Sequence, residues 1–123
     1  MTTMCIPVTG DGAIDPRWGK ARRVAIAQAD PETIRDWQEY EVSWDALHDT
    51  GTEGAHHARI ARFIREHHVE TVVAGHMGPG MQRMLHTMGV TVYLGASGPA
   101  KQGAAAAAGL DHDEATHRPP GTG

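Results

Sequence analysis

The chain has 123 residues, of which 40% are hydrophobic and 21% charged, and these values are typical of a folded, water-soluble domain. Its formal net charge of -4 argues against a nucleic-acid partner, because general nucleic-acid binders draw their affinity from many Lys and Arg contacts to phosphates. No apolar run reaches the roughly 18 to 20 residues that cross a bilayer, and the N-terminus lacks the features of a secretory signal, so we expect a cytoplasmic protein with no membrane partner.

Three stretches in the first third of the chain predict strands. Residues 4–9 are apolar and are followed by the turn-forming sequence GDG, residues 24–29 are again apolar, and residues 37–42 alternate between two faces. We expect these three strands to form an antiparallel meander.

Helices and strands alternate in the second half of the chain. Side chains such as Ile60, Phe63 and Ile64 have the spacing of one helical face. The predicted helices cover residues 54–69, 79–89 and 99–109, and the predicted strands cover residues 69–75 and 90–95. Each alternation of helix and strand is a crossover unit, which favours parallel strands covered by helices.

The end of the chain is polar. Gly109 is expected to end the last helix, because glycine commonly follows the final turn of a helix. Residues 111–123 contain the sequence PPG and few apolar side chains. We therefore expect a single domain over residues 1–110 and a disordered polar tail over residues 111–123.

Histidine is the residue type in which metal chemistry has to be sought. The single cysteine, Cys5, excludes an intramolecular disulfide and any four-cysteine zinc or iron-sulfur site within one chain. Because Cys5 lies in an apolar strand, we expect it to be buried and poorly accessible rather than a thiolate ligand. The nine histidines remain as candidate ligands.

The predicted topology gathers several loops at one edge of the sheet. If the first, fourth and fifth strands are parallel, the loops after the first, third, fourth and fifth strands leave at the same edge. These loops are residues 10–21, 43–57, 75–80 and 95–99. Ligands of open α/β sheets bind outside the carboxyl ends of the strands, and three predicted helix N-termini at this edge favour an anionic ligand.

Candidate site residues follow from this placement. Glycines let the backbone approach a ligand closely, proline suits the first turn of a helix, and neutral imidazole is a good ligand for iron or zinc. The predicted cofactor-binding residues are Gly10, Arg17, Trp18, Lys20, Gly75, Gly78, Pro79 and Gly80, and the predicted metal ligands are His76, His56 and His57.

A structural alternative stands beside several of these roles. His76 is either a ligand or a loop histidine hydrogen-bonded to the backbone or to water. His56 and His57 are adjacent at the start of a helix, so their side chains diverge by about 100° and at most one of them faces the site. Trp18 either forms a wall of the pocket or anchors its loop.

Alternatives remain open for the basic and the methionine side chains as well. The basic pair formed by Arg17 and Lys20 either holds an anionic ligand or is simply solvated at the surface. A set of four methionines falls mostly at helical spacing on the second predicted helix, and it either fills the core, as we expect, or contacts a soft metal or an adaptable partner. This methionine set consists of Met77, Met81, Met84 and Met88.

Several motifs, taken in order, resemble those of the dinitrogenase iron-molybdenum cofactor biosynthesis family, which includes NifX-type proteins and the carboxy-terminal domain of NifB-type proteins. The resemblance covers about residues 4–110 and rests on CIPVTGDGAIDPRWGKA, on VETVVAGHMGPGMQRMLHTMGVTVYLG, and on a helix of small residues after it. The sequence RWGK at residues 17–20 is similar to the family's His-Phe-Gly-Arg-like element, with Arg17 in place of its histidine. The sequence GHMGP at residues 75–79 is similar to its Gly-Gly-x-Gly-Pro element.

The resemblance implies a fold and a function. The implied fold is a ribonuclease H-like three-layer α/β fold with a five-stranded mixed sheet. The implied function is non-catalytic: the transient binding or carrying of an iron-sulfur or iron-molybdenum-type metallocluster, with a protein partner in cofactor assembly. The open edges of the third and fifth strands leave the oligomeric state undecided.

Two other functions are weighed against a metallocluster carrier. A small-anion sensor or partner-binding module that keeps the fold without the cluster is favoured by Arg17 in place of the family's histidine and by the lack of a cysteine at the predicted crevice. A nuclease is disfavoured, because two-metal phosphoryl chemistry needs several carboxylates on the sheet and the core strands supply almost none.

Overall fold

The computed structural model describes residues 2–30, 32–47 and 51–117, which form a five-stranded sheet with helices on both faces. The strands are β1 (Thr2–Val8), β2 (Arg23–Ala29), β3 (Ile34–Glu41), β4 (Thr71–Val73) and β5 (Thr91–Tyr93). The helices are α1 (Trp44–Leu47), α2 (Glu53–Glu66), α3 (Pro79–Thr87) and α4 (Ala100–His117), and a 3-10 turn covers Trp18–Lys20.

The strand order is β3-β2-β1-β4-β5. β1, β2 and β3 pair in antiparallel fashion, whereas β4 pairs in parallel with both β1 and β5. The predicted meander, the parallel second half and the ribonuclease H-like α/β fold with a mixed five-stranded sheet are therefore confirmed. β1 lies at the centre and is followed by a loop at the same edge as the loops after β4 and β5.

The two faces of the sheet carry separate hydrophobic cores. Successive side chains of a strand point to opposite faces, and β1 shows this directly. Met4, Ile6 and Val8 pack in one core with the alanines of α4, while Cys5 belongs to the other core, beneath α2 and α3. The three layers follow from this alternation.

Two short elements lie in segments that the sequence predicted as loops. The 3-10 turn at Trp18–Lys20 and the four-residue helix α1 each bury one tryptophan, and the rings of Trp18 and Trp44 meet edge to face with their centroids 5.2 Å apart. Periodicity does not reveal elements this short, because one turn holds too few residues to show a repeat. Burial of the two indoles holds both turns against the core.

β3 begins three residues earlier than the predicted start at residue 37, since its first residue is Ile34. Asp30 explains the difference: its carboxylate accepts hydrogen bonds from the backbone N–H groups of Glu32 and Thr33, which closes a tight turn after β2. Pairing with β2 therefore starts directly after the turn, at the pair of Ala29 with Ile34. Apart from the end of α4, the other predicted bounds differ from the observed ones by a few residues.

α4 continues to His117, so the predicted stop at Gly109 is wrong. Glycine costs about 1 kcal/mol relative to alanine inside a helix, and the run of alanines before Gly109 favours the helix. Of the predicted tail, residues 111–117 are helical and residues 118–123 lie outside the described residues, so the domain boundary at residue 110 stays a prediction. In the described part of the chain, no helix has the length and apolar character needed to span a membrane.

Cys5 tests the packing of the central strand. It is fully buried, and desolvation raises the pKa of its thiol far above the usual value, so the reactive thiolate is suppressed. We expect a disulfide reagent to label Cys5 at least about a thousandfold more slowly in the native protein than in denaturant, because access requires unfolding, which costs at least about 5 kcal/mol. Labelling followed by absorbance measures both rates. Rapid labelling of the native protein would show that Cys5 is accessible.

Candidate functional site

A cleft of about 740 Å³ opens at the carboxyl edge of the sheet, a volume within the range of small-molecule sites. Three segments form it: the 3-10 turn after β1, the start of α2, and the loop that leads from β4 into α3. Its lining consists of Arg17, Trp18, Gly19, Lys20, His56, His57, His76, Met77, Gly78, Pro79, Gly80 and Met81.

Backbone hydrogen bonds join the turn to the loop between β4 and α3. His76 N–H donates to the Pro16 carbonyl at 3.1 Å, and Trp18 N–H donates to the His76 carbonyl at 3.4 Å, so that Arg17 and His76 form a short parallel bridge. Asp15, which is 6% exposed, accepts from the Arg17 N–H at 2.9 Å. The two loops therefore extend the sheet edge by one bridge and place Arg17 beside His76.

Gly75 makes this bridge possible. A Cβ atom at residue 75 would lie 3.1 Å from the Pro16 Cα and 3.3 Å from the Ala96 carbonyl oxygen, both of which are backbone atoms. The loops can approach this closely only where residue 75 has no side chain. Gly75 is absent from the lining of the cleft and packs against the facing loops, so its predicted contact with a ligand stays a prediction.

Trp18 is both a wall of the cleft and an anchor of its loop, so the two alternatives left open by the sequence describe the same side chain. It lines the cleft, yet it is only 1% exposed and its ring packs on Trp44 in the core. Its indole N–H is buried and has no hydrogen-bond partner among the described residues. A buried donor without a partner is unfavourable, and a ligand acceptor that reached it would satisfy it.

The paired histidines at the start of α2 occupy different environments. His56 is buried, and both of its ring nitrogens lie within hydrogen-bond distance of protein atoms: the Gly19 carbonyl at 2.7 Å and the guanidinium of Arg59 at 2.9 Å. His57 is half-buried, and its Cε1 lies 3.3 Å from the position of a Cβ atom on Gly80. The ring of His57 thus lies against the backbone at the start of α3.

The electrostatic character of the cleft is positive. Arg17 and Lys20 are exposed, and His76 is exposed between them and α3. Among the described residues that line the cleft, none is acidic. Arg17 lies beside Asp15, whose carboxylate is 3.5 Å from the Arg17 Nε.

The N-terminus of α3 adds backbone donors to this positive cleft. Gly78 is its N-cap and Pro79 occupies its first turn, and no side chain in the described part of the chain caps the free N–H groups. By contrast, α2 is capped by the hydroxyl of Thr52, and the Ala100 N–H at the start of α4 donates to the Gly12 carbonyl. Of the three helix N-termini expected at this edge, only that of α3 offers uncapped donors inside the cleft.

Comparisons with known proteins identify the family. The family described as dinitrogenase iron-molybdenum cofactor matches residues 1–109, which is most of the chain. The chain belongs to this family. The resemblance predicted from the sequence motifs is therefore confirmed, and family membership associates the chain with the iron-molybdenum cofactor and its biosynthesis.

Solved structures share the fold of this family member. The crystal structure of PH0822 is 18% identical, with 89% of this chain and 90% of that chain covered at a TM-score of 0.70. The apo form of the orange protein from Desulfovibrio gigas is 20% identical, with 91% of this chain and 89% of that chain covered at a TM-score of 0.68. An NMR structure of a candidate NifB protein from Thermotoga is 20% identical, with 89% of each chain covered at a TM-score of 0.63. No curated protein matches the sequence. At these identities the likeness shows the fold alone.

The predicted site residues divide into those that line the cleft and those that do not. The lining includes every predicted residue except Gly10 and Gly75. Gly10 lies in the exposed turn after β1, and the neighbouring loops pair with each other away from the cleft, through a bridge between Ala13 and Pro99.

Sequence reasoning missed three residues of the lining: Gly19, Met77 and Met81. Both methionines belong to the hydrophobic core, as predicted, but also reach the cleft. The available signal was adjacency in the sequence, because Met77 directly precedes Gly78 and Met81 directly follows Gly80. Among the residues that the structure describes, no group of three or more His, Cys, Asp or Glu side chains is arranged to hold a metal ion.

Replacement of Gly75 by alanine tests the close approach of the loops. We expect Gly75→Ala to lower the free energy of unfolding by about 1–3 kcal/mol, because the added methyl group meets backbone atoms that cannot move aside cheaply. Gly19→Ala is the matched control, since nothing lies within 4 Å of its Cβ position, and it should change stability by less than about 0.5 kcal/mol. Urea unfolding measures both, and equal stabilities for the two variants would contradict the proposed packing.

Proposed function

We propose that this protein is a non-catalytic carrier that transiently binds an iron-sulfur or iron-molybdenum-type metallocluster in the cleft during cofactor biosynthesis. The observation that carries the proposal is the sign of the charge: among the described residues that line the cleft, every ionisable side chain is basic or an imidazole, and the N-terminus of α3 lines the same space. Iron-sulfur-type clusters that bear a negative charge fit such a site. The metallocluster is the cargo of this protein and not a resident cofactor.

Charge is the main source of the proposed affinity. Arg17 can donate two parallel hydrogen bonds to an anionic ligand, and Lys20 adds a mobile positive charge from the same turn. The N–H groups of Gly80 and Met81, in the first turn of α3, are donors that no side chain caps. These groups stand on two sides of the cleft, so an anion between them is contacted from both sides.

The donor atoms of the cleft fit exchangeable cargo better than a permanent cluster. Resident iron-sulfur clusters are held by several cysteine thiolates, and Cys5 is buried in the sheet away from the cleft. His76 is the exposed imidazole of the lining and is therefore the leading candidate for direct contact with a metal atom. One imidazole and a set of charges bind a cluster without enclosing it, which allows its transfer to a partner protein.

The apolar part of the lining would exclude water from one side of the cargo. Met77, Met81 and Trp18 are each buried below 6% exposure and present their surfaces to the cleft. Methionine side chains are polarisable and adapt to irregular shapes, which suits contact with the sulfur atoms of a cluster. Charge and hydrogen bonds would then lie on one side of the cargo and soft apolar groups on the other.

Neutralisation of the turn tests the proposal. We expect Arg17→Gln and Lys20→Gln each to weaken the binding of isolated iron-molybdenum cofactor about fivefold at low salt, because each removes roughly 1 kcal/mol of charge interaction. The double variant should bind the cofactor more weakly than either single variant. The affinity of the wild type should fall as ionic strength rises. Anaerobic titration followed by visible absorbance measures the affinities.

Arg35→Gln is the matched control for this titration, because Arg35 is exposed on β3, the edge strand farthest from β4 and β5. It removes one positive charge at a distance from the cleft and should leave the affinity unchanged. An equal effect of Arg35→Gln and Arg17→Gln would show that overall charge, and not the cleft, binds the cofactor. A wild-type protein that fails to bind the cofactor would contradict the carrier function itself.

A second candidate function is a small-anion sensor or partner-binding module that keeps the fold without the cluster. The specific observation in its favour is that the described lining of the cleft contains no cysteine, while Arg17 and the start of α3 suit a simple oxyanion. Thermal unfolding in the presence of inorganic phosphate, without iron, separates the two functions. A rise in Tm with phosphate together with no binding of the isolated cofactor favours the sensor.

A further inference from the structure

One histidine of the cleft already uses both of its ring nitrogens. His56 is 3% exposed, its Nε2 lies 2.7 Å from the Gly19 carbonyl oxygen, and its Nδ1 lies 2.9 Å from Nη1 of Arg59. A guanidinium has only donors, so Nδ1 must accept from Arg59. Nε2 then carries the single ring proton and donates it to the Gly19 carbonyl. In this arrangement the imidazole is neutral and has no lone pair left for a metal.

We infer that His56 is a positioning residue of the cleft rather than one of its ligands, an inference that rests on the proposed function. Its ring hydrogen-bonds to Gly19, the central residue of the 3-10 turn, and so joins α2 to this turn. Lys20 is the last residue of the same turn. The same turn follows Arg17. His56 thus fixes the position of the basic groups that bind the cargo, without touching the cargo itself.

Three backbone N–H groups of the turn form long hydrogen bonds, whereas the bond from His56 to Gly19 is short. Lys20 N–H donates to the Arg17 carbonyl at 3.3 Å, Ala21 N–H donates to the Trp18 carbonyl at 3.3 Å, and Trp18 N–H donates to the His76 carbonyl at 3.4 Å. These distances lie beyond the usual range of about 2.7–3.2 Å for N–H···O bonds, whereas the bond from His56 to Gly19 lies at its short end. His56 therefore contributes the best-formed hydrogen bond that holds the turn to α2.

Arg59 fixes which ring nitrogen of His56 donates. It lies one helical turn after His56 on α2, and its Nη1 is also 3.4 Å from the Leu47 carbonyl at the end of α1. Arg59 is not part of the lining of the cleft. Because Arg59 donates to Nδ1, the ring proton of His56 lies on Nε2 and points toward Gly19. Arg59 thus acts on the turn through His56.

Two conservative variants separate positioning from ligation. In His56→Gln the amide group reaches about as far as Nε2 of histidine and can donate to the Gly19 carbonyl. In His56→Asn the shorter side chain reaches only about as far as Nδ1, so it can accept from Arg59 but cannot reach Gly19. We expect hydrogen exchange of the Lys20 and Ala21 amides in the ligand-free protein to rise about threefold to tenfold in His56→Asn, the effect of one lost hydrogen bond. In His56→Gln exchange should stay near the wild-type rate, with global stability from urea unfolding as the reference for both.

The same variants are then titrated with isolated iron-molybdenum cofactor. We expect His56→Gln to bind like the wild type and His56→Asn to bind about threefold to tenfold more weakly, in step with the exchange of the turn. Side-chain ¹⁵N spectra of the wild type should show the proton on Nε2 of His56.

Each contrary result has a defined meaning. Loss of cofactor binding in His56→Gln with unchanged exchange would make His56 a ligand and overturn the inference, and so would unchanged exchange in His56→Asn. A wild-type protein that does not bind the cofactor contradicts the proposed function instead. The exchange comparison needs no ligand and still decides whether His56 positions the turn.

Discussion

The site depends on one constraint, which is that β1 and β4 lie side by side and run in the same direction. Their following loops leave the sheet next to each other, and the bridge between Arg17 and His76 joins them. The bridge in turn requires a glycine at residue 75, because any side chain there would meet the backbone of the facing loop. The basic turn, the exposed imidazole and the start of α3 come together only because this approach is allowed.

The chemistry of the cleft follows from what these segments bring. They supply cations, imidazoles and uncapped backbone donors, and they supply neither thiolates nor carboxylates within the described lining. Such a set attracts an anion and holds it by charge and hydrogen bonds, which makes binding reversible and sensitive to salt. Reversible binding is the property that a carrier of a preformed cluster needs, and it sets this cleft apart from the cysteine-ligated sites of resident clusters.

Much of the fold and part of the site could be predicted from the sequence. Apolar runs and helical spacing gave all five strands and three of the helices, and the family motifs at residues 17–20 and 75–79 indicated two of the three segments that form the cleft. The short helix α1 was missed because a single turn shows no period. The predicted end of α4 was wrong because one glycine costs only about 1 kcal/mol and the run of alanines before it favours the helix. The engagement of both ring nitrogens of His56 could not be predicted, because it depends on Arg59 and on the Gly19 carbonyl, a backbone atom distant in sequence.

Paramagnetic NMR tests most directly whether the anionic cargo occupies the cleft at the carboxyl edge. Addition of isolated iron-molybdenum cofactor to ¹⁵N-labelled protein under anaerobic conditions broadens the amide signals nearest the iron atoms. If the cargo binds in the cleft, the signals of Gly19, His76, Gly80 and Met81 disappear first, while those of β3 remain sharp. Broadening centred on β3, at the edge of the sheet opposite β5, with the cleft signals intact, would contradict binding in the cleft.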